Sequence, residues 1–467
     1  MRVRAMAVLL AAMLAAPVAQ ADFRTALAQY QAGQYEQAKR EFTRLANVGD
    51  AASQYNLGAM ALHGQGGPAD RAVAVGWFMA ARENGSNEMD AGQLDALQAE
   101  LAPADLERSA RVVAAYGRDA MLDNVLPPPP DEAASCAGFT PPTVRVQALP
   151  MYSHLANLAA ERGAAVIAYR VGIDGLAYDV NSLLSAPTAV FSQQAIDAVL
   201  ASRFVPATSD GAPVTAAGWH YVGFKLSGGF SSIWERDIIV GLKASGAAGA
   251  LDALYLYGVI ATLDPAVGES PQSAAAAILD AAQAGDVDAQ YWLATTLAES
   301  RRCGADRALP WLRAAAAGGQ PAASVTLAER LLEGEPDAAR VDAAKRWLLS
   351  VTGSRNAYAT KHAIAHLAAS PRAELRDADA ALRASKTLFM KNYSGDPQAH
   401  EAFAAARAAT GDYRGAVTAQ RRALAAAGKL HWNTTRMQER LIAYQDHRMW
   451  YGNLLELPPT REPLPDP

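Results

Sequence analysis

Apolar positions recur with two different periods along the chain. Before about residue 125 and after about residue 230, apolar residues recur three to four positions apart, which is the period of amphipathic helices. Between residues 144 and 227 the pattern changes to alternation, as in Ile167, Tyr169 and Val171. Alternation is typical of strands with one buried face. The chain is therefore predicted to be an α+β multidomain protein, with helical blocks on both sides of a small sheet.

The two helical blocks are predicted to be arrays of helix pairs. In the first block, residues 22–125, Gly49 and Gly85 are 85 − 49 = 36 positions apart, and in the second, residues 230–456, Trp311 and Trp347 have the same spacing. Periods of about 34 to 36 residues are typical of an α-solenoid, whose helix pairs bury their apolar faces against neighbouring pairs. Both blocks resemble Sel1-like and tetratricopeptide (TPR) repeats, which implies stacked helix pairs with a surface for partner proteins.

The middle block, residues 144–227, is predicted to fold as a small antiparallel sheet covered by one helix. Asp174-Gly175 favours a hairpin turn between the first two strands, because glycine adopts positive φ without strain. A helix-like stretch over residues 192–200 follows, and residues 219–226 alternate again as a third strand. A sheet with one helix on one face satisfies this pattern.

This order of elements, with Arg203-Phe204-x-Pro206-Ala207 before the last strand, resembles the C-terminal domain of TonB, the periplasmic protein that grips outer-membrane receptors. The resemblance implies that the last strand is a sheet edge that receives an extended peptide by strand addition. The alternative is that its aromatic residues merely pack against the helical block. The candidate peptide-binding positions are Trp219, Tyr221, Gly223 and Lys225.

Other features separate the chain from a TonB energy transducer. The resemblance implies a membrane helix that carries a histidine and a long proline-rich arm, but residues 5–21 contain no histidine. The proline run 127–130 lies in a predicted linker of residues 126–143, which at ~3.1 Å per residue spans tens of ångströms at most. Tyr152-Ser153 also stands where the family has a Tyr-Pro pair. Transfer of force from the inner membrane is therefore not expected.

The first 21 residues have the pattern of a secretory signal peptide. Arg2 and Arg4 precede an apolar run, and Ala19-Gln20-Ala21 is a small-x-small site, so we expect cleavage after Ala21 and export to the periplasm. The alternative is an uncleaved anchor. No later segment is apolar for long enough to span a membrane, and the proline-rich tail, residues 457–467, is predicted to be disordered. Cleavage would change the net charge from −5 to −5 − 2 = −7, which provides no electrostatic footprint for nucleic acid.

Few residues suggest covalent or metal chemistry. Cys136 and Cys303 are the two cysteines; export permits a disulfide between them, and the alternative is two unpaired thiols. His362 and His366 have a spacing that can hold zinc, but Ala363 stands where a zincin carries glutamate and no third ligand is near in sequence. We therefore expect two solvated helix histidines, and predict no metal and no cofactor.

Three functional hypotheses follow. The preferred one is a non-enzymatic interaction scaffold of the bacterial cell envelope, which binds protein or peptide partners in the periplasm through its repeats and its sheet edge. The alternative is a TonB-type component that contacts outer-membrane receptors in transport across the envelope. The third is a hydrolase of envelope polymers, which the absence of catalytic motifs disfavours.

Overall fold

Helices flank a small sheet in the computed structural model, which describes residues 19–47, 49–125, 138–150, 163–186, 190–224, 231–263, 270–299, 308–389 and 395–456. The helices before the sheet are α1 (Ala19–Gln31), α2 (Tyr35–Ala46), α3 (Ala51–His63), α4 (Arg71–Glu83), α5 (Ala91–Ala99), α6 (Pro103–Tyr116) and α7 (Arg118–Val125). The elements of the sheet region are β1 (Phe139–Thr140), β2 (Thr143–Val146), β3 (Gly163–Val171), β4 (Ala177–Ala186), α8 (Val190–Ala201), β5 (Arg203–Val205), β6 (Ala207–Ser209), β7 (Ala212–Val214) and β8 (Ala216–Phe224). The helices that follow are α9 (Ser231–Ala247), α10 (Leu251–Leu263), α11 (Pro271–Gln283), α12 (Val287–Glu299), α13 (Ala308–Ala317), α14 (Pro321–Leu332), α15 (Ala338–Ser350), α16 (Ala357–Ala369), α17 (Ala378–Phe389), α18 (Pro397–Ala409), α19 (Tyr413–Lys429) and α20 (Thr435–Gln445), with a short 3₁₀ helix (Ala373–Leu375) between α16 and α17. The predicted α+β architecture, with helices on both sides of a small antiparallel sheet, is confirmed.

The helical blocks repeat one local geometry. Gln54 donates from Nε2 to the carbonyl of the residue eight positions before it (3.2 Å), and Gln290 does the same (2.9 Å). Each glutamine lies four positions after an aspartate that caps its helix, because the Oδ1 atoms of Asp50 and Asp286 accept a backbone N–H three residues later at 2.7 Å. The same cap and the same buried glutamine therefore join two helices in both blocks.

The turns between paired helices use glycine in the left-handed region. Gly249, Gly285 and Gly319 have φ of 96°, 104° and 92°, and they lie 285 − 249 = 36 and 319 − 285 = 34 positions apart. Glycine ends helices in this conformation without the steric cost of a Cβ atom. The spacing of these turns agrees with the period that the sequence predicts.

The chain forms two compact units, and each is built from parts that are distant in sequence. The first combines residues up to Pro129 with Ile238–Gln320, and the second combines Pro130–Asp237 with Pro321–Pro467. Within the first unit, the Arg118 guanidinium of α7 forms an ion pair with Asp280 of α11. The helices before and after the sheet region thus pack together, and the chain leaves this unit and re-enters it. The sequential domain boundaries given above stay a prediction.

The main sheet has the strand order β4–β3–β8, and both pairs are antiparallel. The predicted hairpin turn lies between β3 and β4, where Gly175 has φ of 77°. Helix α8 packs on the face that contains Ile167 and Phe224, and the rings of Phe191 and Phe224 are 4.7 Å apart. The predicted two strands, helix and third strand are therefore confirmed.

Two smaller sheets adjoin this one, and neither is predicted by the sequence pattern. One has the order β1–β6–β7 and the other pairs β2 with β5. Strands consequently begin at Phe139, inside the segment predicted as an extended linker, rather than at residue 144. These strands are two to four residues long, and β1 and β2 pair with segments about 70 and about 60 positions away, so no local alternation marks them.

The core of the sheet domain, residues 138–224, is completed by the C-terminal helices. Ala427 of α19, Met437 of α20 and Trp432, in the turn between these helices, belong to the same buried cluster as the strands and α8. The exposed fraction of the Trp432 side chain is 4%. Part of the apolar surface of the sheet domain is therefore buried only when these helices are in place.

Candidate functional site

The outer edge of β8 is the first part of the candidate site. Strand β3 pairs with β8 along its whole length, and among the described residues no strand pairs with the opposite edge of β8. Val222 and Phe224 are buried beneath α8, whereas Trp219, on the other face, is half-buried. Of the remaining candidate positions, Tyr221 and Gly223 lie in β8, and Lys225 lies outside the described residues.

Strand β8 itself contains none of the residue types that normally protect a sheet edge. It reads Ala-Ala-Gly-Trp-His-Tyr-Val-Gly-Phe and contains no proline and no Asp, Glu, Lys or Arg. Native proteins commonly blunt exposed edges with charges or proline, because unpaired backbone groups would otherwise recruit another strand. Burial lowers the pKa of His220, so this residue is also uncharged at neutral pH. The composition of β8 therefore permits strand addition.

The opposite edge strand, β4, is met by helices. Its pairing with β3 is interrupted between Ala168 and Arg170, and Asp179 lies in this bulge with φ of 53°. The backbone N–H of Asp179 donates to Oε1 of Gln398 in α18 (3.1 Å), and its side chain points to α16. Bulges re-aim side chains and end strand pairing. The bulge therefore turns this edge of the sheet toward the helices of the second unit.

A group of charged side chains surrounds Asp179 and is here called the ionic cluster; its members are Asp179, Glu329, Lys361, His362, His366 and Asp396. His362 lies at its centre, with Nε2 2.7 Å from Oδ1 of Asp179 and Nδ1 2.7 Å from Oε1 of Glu329. The same oxygen of Glu329 lies 3.2 Å from Nε2 of His366. The imidazole of His362 thus lies between two carboxylates.

Lys361 supplies the second cation of the ionic cluster. Its Nζ lies 3.2 Å from Oδ2 of Asp396 and 3.5 Å from Oδ1 of Asp179, and it donates to Oε1 of Gln398 at 3.0 Å. The exposed fraction of the Lys361 side chain is 2%. A lysine this deeply buried is stabilised only if its charge is paired and its N–H groups are satisfied, and the cluster provides both.

The cluster fixes the protonation of Asp179, Glu329 and His362. Burial acts to lower the pKa of His362, but the charges and hydrogen bonds of Asp179 and Glu329 outweigh it and raise this pKa to about 9. Burial acts to raise the pKa values of Asp179 and Glu329, but the facing His362 holds both below their usual range. At neutral pH His362 is therefore an imidazolium that donates from both nitrogens, and it has no lone pair for a substrate proton or a metal ion.

This geometry overturns the expectation of two solvated histidines. His362 is 4% exposed and ion-paired, and only His366 is partly exposed. Within the described ranges, no group of three or more His, Cys, Asp or Glu side chains is arranged to hold a metal ion. The sequence signal that was available is the pair Lys361-His362 inside an otherwise apolar helix, AYATKHAIAHLAA, because consecutive cations on a buried helix require carboxylate partners.

The remaining predicted sites lie wholly or partly outside the residues that the structure describes. Cys136, Cys303 and residues 1–18 are not among the described residues, and Ala21 lies in α1. Disulfide formation and signal cleavage therefore stay predictions. In the described ranges, no helix has the length and apolar character needed to cross a bilayer.

The fold is that of an α+β protein in which helical arrays flank a three-stranded antiparallel sheet. Helices meet the edge of β4, and among the described residues no strand pairs with the outer edge of β8. Residues 148–226 match the family model of the Gram-negative bacterial TonB protein C-terminal domain. The match spans 226 − 148 + 1 = 79 of 467 residues, so it concerns the sheet domain. No curated protein matches the chain significantly. The match confirms the resemblance of the sheet domain and supports a protein-interaction role in the Gram-negative envelope, while the family of the helical repeats stays a prediction.

Proposed function

We propose that this chain is a non-enzymatic interaction scaffold of the periplasm, which captures an extended peptide segment on the outer edge of β8. The observation that carries the proposal is the contrast between the two edges of the sheet. The edge of β4 is held by Asp179 to α16 and α18, whereas β8 has no charge, no proline and no second strand partner among the described residues. Strand addition is therefore directed to β8.

The backing of the sheet supports this role. Strand addition gains affinity when the receiving edge is already ordered, because the cost of ordering is then confined to the peptide. The ionic cluster and the core shared with Trp432 hold the sheet domain on the helices of the second unit. The helical arrays, which we interpret as Sel1-like and TPR-like repeats, add surface for further protein partners.

A non-enzymatic role is favoured by the chemistry of the most polar buried site. His362 has the surroundings of a catalytic histidine, but both of its nitrogens donate to carboxylates. A general base needs a free lone pair within reach of substrate. We therefore assign the ionic cluster to positioning the sheet.

Adjacent proline substitutions test the open edge. Neighbouring residues of a strand direct their N–H groups to opposite sides, so in the pair Ala216→Pro and Ala217→Pro one variant loses a hydrogen bond to β3 and the other loses only the outward donor. We expect one variant to unfold at a lower temperature, and the other to keep the wild-type melting temperature but lose crosslinked peptide partners in the native periplasm. If the well-folded variant recovers the same partners as wild type, capture at β8 is wrong.

A substitution at the edge is preferable to deletion of the sheet domain. Deletion would expose Trp432 and Met437, which share its core, and would disturb the helices as well. Loss of partners after deletion would then say nothing about the edge. The proline pair leaves the shared core intact.

The second candidate is a TonB-type component that contacts outer-membrane receptors, and the match of residues 148–226 favours it. This function requires binding of the short N-terminal box peptides of such receptors, whereas a scaffold binds other segments. Titration of the purified chain with box peptides and with scrambled peptides of equal composition separates the two. Equal affinity for both sets would exclude the receptor-specific function and leave the scaffold.

A further inference from the structure

A cavity lies within the second unit, between α8 of the sheet domain and α19. Its volume is about 470 Å³, which falls within the range of small-molecule sites. The lining residues are Asp197, Leu200, Gly395, His400, Arg422, Ala425, Ala426, Lys429 and Leu430. One part of the lining is apolar, because it consists of aliphatic side chains, and another part is cationic, because two basic residues lie on one helix.

The cationic side of the cavity is formed by α19, a helix with basic residues and no acidic ones. Helix α19 has the sequence YRGAVTAQRRALAAAGK, so its 17 residues carry four cations and no carboxylate, although the whole chain has a net charge of −5. Arg422 and Lys429 are seven positions apart and therefore lie on the same face, two turns from each other. Within the described part of the chain, neither forms a salt bridge.

The other polar residues of the lining offset these two cations only in part, because Asp197 is the one carboxylate among them and leaves a formal charge of 2 − 1 = +1. The carboxylate of Asp197 accepts a hydrogen bond from Nε2 of Gln193 at 2.7 Å, one turn earlier in α8. His400 is 6% exposed and adds a polar side chain to the wall. Leu200 and Leu430 offer an apolar surface beside the cations. A complementary ligand therefore has a negative group and an apolar part.

We propose that this cavity binds a small amphiphilic anion, with its charged group at Arg422 and Lys429 and its alkyl part against Leu200 and Leu430. Arginine and lysine both bind carboxylates and phosphates, and arginine does so with two parallel hydrogen bonds. Burial of the alkyl part adds affinity in proportion to the apolar area removed from water. The site is separate from the edge of β8, so its occupancy does not depend on peptide capture.

Calorimetric titration of the full chain tests the proposal with defined probes. Octanoate and octyl phosphate carry the two anionic groups on the same tail, octylamine reverses the charge, and propionate shortens the tail. We expect saturable binding of one or both octyl anions with one site per chain, at least tenfold weaker binding of propionate, and no binding of octylamine. The stronger octyl anion identifies the head group. Absence of saturable binding of both octyl anions, or equal binding of octylamine, overturns the proposal.

Matched variants of α19 locate the site. Arg422→Gln and Lys429→Gln should each weaken binding of the octyl anion at least fivefold, because each removes one charge from the cavity. Arg421→Gln removes the same charge from the neighbouring position, which does not line the cavity, and should change the affinity by less than twofold. All three side chains are exposed, so the variants should keep the wild-type melting temperature. Equal weakening by all three variants would reject a site in this cavity.

Discussion

Asp179 and His362 are 183 positions apart in the chain, and their side chains meet with 2.7 Å between Oδ1 and Nε2. Asp179 lies in the bulge of an edge strand and His362 lies in the middle of α16, so this contact joins the sheet to the helices of the second unit. Because both side chains are more than nine-tenths buried, neither charge has water as an alternative partner. The pair therefore fixes the position of the sheet on the helices.

Removal of one charge from this pair should destabilise the second unit. Asp179→Asn keeps the volume of the side chain and tolerates the positive φ at this position, so the change isolates the charge. Breaking a buried ion pair leaves the partner uncompensated, and we expect the free energy of unfolding in urea to fall by about 3–5 kcal/mol. Asp342→Asn, at an exposed position of α15, is the control and should cost less than about 0.5 kcal/mol. Similar losses in the two variants would contradict the role of the cluster.

The raised pKa of His362 predicts a loss of stability at alkaline pH. A group whose pKa is higher in the folded state contributes its full stabilisation below the unfolded value, here 6.5, and loses it as pH rises through the folded value, about 9. The shift corresponds to roughly 3 kcal/mol at 1.36 kcal/mol per pKa unit. Urea unfolding at pH 6, 8 and 10 should show this decline in wild type. The decline should be absent or much smaller in His362→Asn, and an equal decline in both proteins would assign it to other groups.

The core shared by the sheet and the C-terminal helices predicts that they unfold together. Trp432→Ala removes a side chain that is 4% exposed, and such truncations cost about 3–5 kcal/mol. We expect one cooperative transition, in which protease sites in β3 and in α19 become accessible at the same urea concentration. Ile442→Ala, at a side chain that is 55% exposed, should leave that concentration nearly unchanged. Accessibility of α19 well before β3 in wild type would show that the two parts unfold independently.

Local sequence signals were sufficient for the elements whose partners are close in the chain. The alternation of Ile167, Tyr169 and Val171 and the turn at Gly175 specify the β3–β4 hairpin, and the 36-residue spacing of glycines specifies the helix pairs. The short strand β2 was missed because its partner is β5, about 60 positions later. A two-residue to four-residue strand has too few positions for alternation to show.

The candidate site was predicted only in part, for the same physical reason. The alternation around Trp219 indicates a strand with a solvent-facing side, and the resemblance to the TonB domain identifies it as an edge. The burial of His362 depends on Asp179 and Glu329, which are 183 and 33 positions away. It also depends on a bulge in β4 that the sequence of this strand does not predict. The spacing of the histidines predicts that they share one face of a helix. Contacts with Asp179 and Glu329 bury this face, and the spacing does not indicate them.

Two helix glycines of the first unit should respond to alanine in opposite directions. A Cβ atom at Gly58 in α3 would lie 2.6 Å from the ring of Phe78 in α4, so Gly58→Ala forces these helices apart and should cost about 1–3 kcal/mol. A Cβ atom at Gly241 in α9 would meet nothing within 4 Å, so Gly241→Ala should raise the free energy of unfolding by about 0.5–1 kcal/mol through the better helix propensity of alanine. Urea unfolding of both variants measures the difference. The close approach of α3 and α4 is what makes glycine necessary at position 58, and a stabilising effect of alanine there would contradict the helix packing of the first repeat.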